Sequence, residues 1–532
     1  MALGARLRAL LSRRSEPRTV ISMHRERQVA VLSILVVLLV GLPLWWTTTR
    51  VYRADLPAAE VRRLAPARPL RLPLVFHVDA GALEARQIEQ SARALVDAQR
   101  APLAPGEWRV HYQVAVRPGP APDAPGHYTL RLGAPAASAG RGIEVDPGRS
   151  ATVLAPRAAA PDALSEAIAE IVAAEERAAH GAHSALKYAP EYAITLTLLN
   201  EDPVDGAAVD WDIEQALDAY LRPLARKMQP LTRLSLSSQV LHHAGPPPVA
   251  PLKTANGTRL TREMLPHFVN SPSWNFASVD PTSPMLNFVL FVPALAAQPM
   301  RIAGKPRAEA FLVSQWGGVS IANLPAGTLP GAKVVLSRED LQRHMGYFVA
   351  QLRTLIGIRS DVPLPQRAAG ARPWVRVRQA TDTGVSDWEL DALLRQWLVH
   401  NRQTAITTLQ SLVRLVESLP NMVVMDEIKT QVDQSLRALH AVDAALGRAD
   451  YLGAFSSAAA ASTLAEAAFF DPTMVSMLYF PDQHKLAIYM PYFLPVALPV
   501  LAAVKKIIAQ WRRRKPAAAA AAAAPQESKK TN

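Results

Sequence analysis

Two long uncharged apolar stretches sit near opposite ends of this chain, each backed by a basic segment. Residues 29–46 read VAVLSILVVLLVGLPLWW and residues 486–504 read LAIYMPYFLPVALPVLAAV, 18 and 19 residues without a charge. As helices rising 1.5 Å per residue they would reach about 27 and 28 Å, close to the thickness of a bilayer's hydrocarbon core. Trp45 and Trp46 end the first stretch, and Tyr489 and Tyr492 stand near the start of the second, where amphipathic rings favour an interface. Both read as transmembrane helices, 29–46 and 486–504.

The charge distribution sets their direction. Residues 1–28 carry seven arginines against two glutamates, +5, and residues 505–532 carry eight Lys and Arg against one glutamate, +7. Of the formal +13, only +1 is left for everything between, so the basic balance implies no nucleic-acid face. Flanking Lys and Arg are retained on the cytoplasmic side. Both termini are therefore expected there, with 47–485 on the far side. The first stretch exceeds the 7–15 apolar residues of a cleaved signal and lacks a small-x-small site after it, so it reads as an uncleaved anchor. A mitochondrial transit peptide stays open on the Arg-rich start.

Between the two stretches, residues 57–73 read as a Pro- and Arg-rich linker, and 47–380 as an α/β region. Strand-like runs include 74–78, 108–116, 128–132, 192–199, 234–241, 286–292, 311–313 and 333–336; helix-like runs include 83–98, 163–178, 212–228 and 339–356. Proline-dense loops stand at 118–125 and 245–251. From 381 to 485 the pattern becomes helical. Ser386 and Glu389 fit a capping box, and three runs follow, broken at Pro420 and before Ala454 and ended by Asp471-Pro472. No fixed-period repeat is evident. The alanines at 517–524 form a low-complexity tail with no core to join.

Chemistry is sparse along the sequence. The chain has no cysteine, which removes disulfides, Cys-ligated zinc and any thiolate nucleophile of its own. No H-E-x-x-H, G-x-S-x-G or P-loop pattern occurs. Glu201, Asp202, Asp205, Asp210, Asp212 and Glu214 form the densest acidic cluster. Hard cations such as calcium take several carboxylate oxygens, so a metal loop is one reading. Acids favoured at the start of a helix are the other. His242-His243 precedes a proline loop, His267 lies near Asn270 and Ser271, and Trp316-Gly317-Gly318 reads as a turn between short strands. None of these makes a nucleophile–base pair, and no catalytic residue, metal ligand or cofactor site is assigned.

Three further features bear on partners and location. Pro491, Pro495 and Pro499 recur every four residues, so a helix would stack them on one face; each lacks an N–H, and that face is expected to meet other helices. Asn256-Gly257-Thr258 is an N-glycosylation acceptor pattern, which needs a lumenal setting. Lys529-Lys530 near the C-terminus is similar to the dilysine retrieval signal of endoplasmic reticulum membrane proteins.

Several blocks together resemble one family. GLPLWWTTTRVYRADLP (41–57), YAITLTLLNEDP (192–203), WDIE (211–214), LNFVLFVP (286–293), SQWGG (314–318) and FFDPTMVSMLYFPDQHKLAIYMPYFLPVALPVL (469–501) match, in order, the PIG-S family of glycosylphosphatidylinositol (GPI) transamidase subunits. The Arg-rich start, the alanine tail and residues 58–190 depart from it. The resemblance implies a membrane subunit of the endoplasmic reticulum with a large lumenal domain, working in GPI-anchor biosynthesis. It implies companion subunits, with catalysis on a separate cysteine-protease-like chain, and leaves open contact with the GPI lipid or the precursor protein. The competing reading is an independent lumenal hydrolase or metal enzyme using the acidic cluster.

Overall fold

The computed structural model describes residues 20–49, 52–64, 70–99, 110–134, 142–157, 160–180, 186–243, 252–254, 257–266, 283–304, 308–358, 374–378, 380–419, 422–476, 487–491, 494–495 and 497–509. Asn256, His267, Asn270, Ser271, Lys529 and Lys530 lie outside these residues. The chain divides into two units. One comprises Met1–Leu56, Leu412–Thr430 and Ala468–Asn532; the other comprises Pro57–Ser411 and Gln431–Ala467.

The smaller unit begins with α1 (Val20–Thr49). Among the described residues no helix is long and apolar enough to cross a membrane. This overturns the two spans expected at 29–46 and 486–504, and the topology deduced from two crossings loses its basis. α1 runs the charged segment Arg25-Glu26-Arg27 into the apolar one and carries Pro43 inside. Of the second stretch, 487–491, 494–495 and 497–504 are described, and all are helical. Elsewhere in this unit Arg53 forms a β-bridge with Val424, and the Ala54 N–H donates to the Val424 carbonyl at 2.9 Å. The Tyr52 hydroxyl donates to the Asp426 carboxylate at 2.8 Å.

The larger unit opens where a linker was expected. Residues 57–73 instead hold the short helix α2 (Ala58–Arg63) and the start of the first strand, β1 (Leu70–Val78). Leu70, Leu72, Leu74, Phe76 and Val78 are buried, the period of two that points one face into a core. Pro73 sits inside β1, but β3 joins only from Val75 onward, so the missing N–H falls where one side is unpaired. After β1 come α3 (Ala82–Gln99), β2 (Val110–Pro118), β3 (His127–Gly133), β4 (Gly142–Val145), β5 (Ser150–Leu154) and α4 (Ala160–His180). The sheet order is β4-β5-β3-β1-β2, with a distant strand, Trp374–Val377, added outside β4. All pairs are parallel except β4 with β5.

A second half follows, built of a main sheet and smaller ones. Its chain order is β6 (Glu191–Asn200), β7 (Ala208–Trp211), α5 (213–228, with a π turn at Leu217–Leu221), β8 (Arg233–His242), β9 (Leu252–Thr254), β10 (Gly257–Leu260), β11 (Met285–Val292), β12 (Met300–Ile302), β13 (Ala310–Val313), β14 (Gly317–Ile321), β15 (Lys333–Leu336) and α6 (Arg338–Ile356). The main sheet is ordered β13-β14-β11-β6-β8, parallel except β13 with β14. β6, β11 and β14 are buried along nearly their whole length, which is why their sequences are mostly apolar. One face joins the main core through Leu196, Leu198, Phe288 and Leu290. On the other, Val289, Phe291, Val319 and Ile321 pack with Leu260 of β10 and Met300 of β12.

The two sheets share one topology. In each, a first strand (β1, β6) leads through a helix (α3, α5) to a parallel neighbour at the edge (β2, β8). A third strand (β3, β11) docks on the other side of the first. A hairpin then supplies an antiparallel outer strand (β4, β13) and a parallel inner one (β5, β14) before a long helix (α4, α6). Excursions differ: β7, β9, β10, β12 and β15 belong to the second half alone.

The C-terminal part is helical, as expected: α7 (Asp387–Ser418), α8 (Asp426–Gly447) and α9 (Tyr451–Phe469). Within the larger unit Ala454, Ala458, Ala461 and Ala465 of α9 are fully buried at helical spacing, and the Ser435 hydroxyl of α8 donates to the Ala461 carbonyl at 2.8 Å.

Candidate functional site

The acidic cluster does not converge. The Asp202 carboxylate accepts from the N–H groups of Val204 and Asp205 at 3.1 and 3.0 Å, closing its own turn. Glu201 accepts from the Ala294 N–H at 2.8 Å, and burial raises its pKa. Asp210 accepts from the Trp211 N–H, and Glu214 pairs with Arg222 at 2.7 Å on the surface. Asp212 stands at the N-cap of α5 without a side-chain cap bond. Among the described residues no three His, Asp or Glu side chains could hold a metal ion together. His242 and His243 are both exposed, and His243 has φ 55°. The turn between β13 and β14 is 314–316, with Gln315 at φ 64°; of the expected turn only Trp316 lies in it, while Gly317, at φ 143°, and Gly318 begin β14 opposite Val313 and Leu312. Pro491, Pro495 and Pro499 are helical and exposed.

Sequence reasoning found no nucleophile–base pair, yet the fold makes one Ser–His contact. Ser320 Oγ and His344 Nδ1 lie 2.7 Å apart. Ser320 is fully buried within β14 and His344 is 7% exposed. Burial, helped by Arg343, lowers the imidazole pKa to about 4. A hydroxyl without access to substrate serves as a hydrogen-bond partner for packing. His77 and His127 also meet, Nε2 to Nδ1 at 3.2 Å, and burial lowers both pKa values.

The densest buried ionic constellation lies on the first turns of α7, and the sequence reading missed most of it. Ser386 caps the helix: its Oγ accepts from the Glu389 N–H at 3.2 Å, and Glu389 accepts from the Ser386 N–H at 2.9 Å. That box was legible. Glu389 also accepts from Arg353 of α6 at 2.6 Å, and Asp387 pairs with Lys227 of α5 at 2.8 Å. Both partners belong to the second half. Asp391, 1% exposed, takes a two-pronged bond from Arg149 of the β4–β5 hairpin, at 2.8 and 2.9 Å, and a third from the Tyr128 hydroxyl. Arg395, 2% exposed, grips Glu175 of α4 at 2.8 and 3.3 Å and lies 5.6 Å from the Tyr128 ring centre. These partners belong to the first half.

Electrostatics there favour fixed charge. Burial opposes the Arg149 charge, but hydrogen bonding and attraction from Asp391, with Asp123, outweigh it and raise its pKa. For Arg395 burial again opposes, and the charge of Glu175 leads the groups that keep it protonated. Burial pushes the Tyr128 and Tyr451 phenols up. None of these groups changes charge near neutrality, so the cluster holds elements together. One clue was present in the sequence: Asp391 and Arg395 are four apart and flank buried Leu393 and Leu394, charges at core positions of a helix.

Fold and side chains together define an α/β protein with a helical appendix, whose buried charges lock two sheets of like topology onto one helix. The chain belongs to the PIG-S family: the family model described as phosphatidylinositol-glycan biosynthesis class S protein matches residues 32–514. It is 30% identical over 550 residues to the GPI-anchor transamidase component PIGS of Bos taurus, covering 93% of this chain and 97% of that protein. The corresponding Homo sapiens protein gives the same identity and coverage. The GPI transamidase component PIG-S homolog of Schizosaccharomyces pombe is 28% identical over 319 residues, 58% of this chain and 52% of its own length.

Proposed function

We propose that this chain is a non-catalytic structural subunit of a GPI transamidase complex of the endoplasmic reticulum, supporting attachment of GPI anchors to the C-termini of precursor proteins. One observation carries this reading: end-to-end similarity, 93% of this chain against 97% of its relative, to proteins named as components of that transamidase. The chemistry is assigned to another chain. A thiolate mechanism needs a cysteine, and this sequence has none. The buried charges of α7 fit a framework role. No observation favours the hydrolase or metal-enzyme reading, whose acids are spread over separate turns, caps and surface pairs.

Companion subunits are the expected partners. We assign them the proline face of Pro491, Pro495 and Pro499, beside which Ile488, Met490, Leu494, Leu498 and Leu501 are exposed. Affinity purification of the full chain in mild detergent, with mass spectrometry of what accompanies it, tests the assignment. Recovery of transamidase subunits is expected, and recovery of the chain alone would refute it. Pro495→Leu is expected to weaken that co-purification, and unchanged recovery would remove the proline face from the interface. Asn256 is the expected glycan acceptor; a glycosidase-sensitive mobility shift lost in Asn256→Gln would place its loop in the lumen.

A further inference from the structure

The first strand of the first sheet carries a histidine on the face turned from the main core, and a neighbouring strand supplies a second. Along β1 the even residues from Leu70 to Val78 enter the core, so His77 lies on the opposite face. β3 begins at His127, opposite Val75, which sets the two imidazoles diagonally across one pair of strands. His77 Nε2 meets His127 Nδ1 at 3.2 Å, with ring centres 5.5 Å apart. His77 is 6% exposed and His127 is half-buried.

The pair sits where one loop begins and ends. Residues 119–126 join β2 to β3; the Gly119 N–H donates to the Val78 carbonyl at 3.2 Å, beside His77, and His127 closes the far end. Gly119 and Gly126 take φ of 93° and 86°, with Pro120, Pro122 and Pro125 between them. Midway, the Asp123 carboxylate pairs with Arg149. From the core side the end of the loop is held by packing. A Cβ at Gly126 would stand 2.5 Å from the Tyr451 ring of α9, and the Val75 N–H donates to the Gly126 carbonyl at 2.9 Å. On the other face the imidazole contact does the holding.

Protons decide whether that contact survives. In the neutral pair one ring N–H donates to the lone pair of the other ring. One extra proton can enter on an outer nitrogen, His77 Nδ1 or His127 Nε2, and the inner bond remains. A second extra proton leaves an N–H on each side of the 3.2 Å gap and a positive charge on each ring. Opposite His77 stand Arg117 of β2 and Thr129 of β3, so the flanking strands offer it no carboxylate. Asp79, two residues beyond, is exposed; Asp123 is taken up by Arg149, which Asp391 also holds. Burial leads in lowering both pKa values; His127 and Arg117 add to it for His77, and Arg117 for His127.

We propose that the His77–His127 contact is an acid-released latch on the loop between β2 and β3. With at most one extra proton it fastens residues 119–126 to the end of β1. With both rings charged it opens, and the loop loosens on the face away from the core while Gly126 stays under Tyr451. The two rings titrate as a coupled pair and opening follows the second proton, so its midpoint lies below the ordinary imidazole value of about 6.5. The latch needs only this chain's own residues and stands apart from the subunit assignment.

The chain has no cysteine, so a nitroxide attached to Ala121→Cys reports on this loop alone. In the full chain, lowering the pH from about 7.5 to about 4.5 is expected to shorten the label's correlation time about threefold, reversibly, with far-UV circular dichroism unchanged. Arg117→Gln should raise the midpoint, because a positive neighbour of both rings is gone. His127→Asn, whose amide cannot take the extra proton, should leave no pH-dependent change, and Asp123→Asn should preserve it. The proposal is overturned if the label stays immobile down to the lower pH, or if it loosens only as circular dichroism reports global unfolding. It is equally overturned if Arg117→Gln leaves the midpoint in place, if the change persists in His127→Asn, or if it vanishes in Asp123→Asn.

Discussion

The first and second sheets follow the same path and are finished differently. In the first, the β4–β5 hairpin turns through Gly148, around which a side chain would meet nothing within 4 Å, and an added strand closes the edge. In the second, the residue just after the β13–β14 turn is Gly317, where a Cβ would stand 1.9 Å from the Asn287 carbonyl oxygen, and β13 is the outermost strand among the described residues. Among the described residues the outer strand of the first hairpin has a further neighbour and that of the second has none, and the hairpin glycine of the first is relaxed where that of the second is tight. Topology alone therefore does not say which half meets a partner.

Both halves are tied to α7, and cutting the ties one at a time measures how unequal they are. Arg395→Met strands Glu175, whose side chain is 12% exposed, and should cost about 3–5 kcal/mol in urea unfolding of the full chain. Arg353→Met should cost less, about 2–3 kcal/mol, because the Ser386 N–H and hydroxyl still hold Glu389. Equal losses would mean that the two halves are anchored alike.

The turns give the next contrast. Gly317→Ala combines a left-handed backbone with a clash against main chain and should cost about 3 kcal/mol. Gly148→Ala should stay within about 0.5 kcal/mol. A similar melting temperature for the two variants would erase the distinction between tight and relaxed hairpins.

Acid should act on the second half through His344. Its folded pKa, about 4, lies below the ordinary 6.5, so the unfolded chain binds the extra proton between those values. Stability from this group is complete above pH 6.5 and falls as pH drops toward 4. At pH 4.5 the loss should be about 2–3 kcal/mol relative to pH 7. His344→Gln should remove that part of the pH dependence; an unchanged slope would show that the imidazole is not held neutral. A smaller effect belongs to the first half. Tyr451→Phe deletes the 2.7 Å bond from its hydroxyl to the Pro73 carbonyl and should cost about 1 kcal/mol, read as a small shift in the denaturation midpoint.

Some of this was legible in the residues. Strands β6 and β11 stand where 192–199 and 286–292 show mainly apolar runs, broken only by buried Thr195, Thr197 and Asn287, because both faces are buried. The Ser386–Glu389 box was readable because local hydrogen bonding imposes residue types at short range, whereas the turn expected at Trp316-Gly317-Gly318 falls at 314–316, with Gln315 rather than a glycine at its left-handed position. The shared topology was not readable. It leaves no sequence period, since β7, β9, β10 and β12 interrupt the second half and burial patterns differ between the sheets. Arg395, Asp391, Glu175 and Arg149 come from four elements far apart in sequence, so only the fold unites them. The two spans expected at 29–46 and 486–504 did not hold, because no helix among the described residues is long and apolar enough to cross a membrane.

That this chain supports a reaction performed elsewhere is most directly tested by asking for product. The full chain, freed of its companions, is given a precursor peptide and a GPI acceptor, beside the complex purified through the same chain. The account predicts GPI-linked product from the complex and none from the chain alone; product from the isolated chain would contradict it.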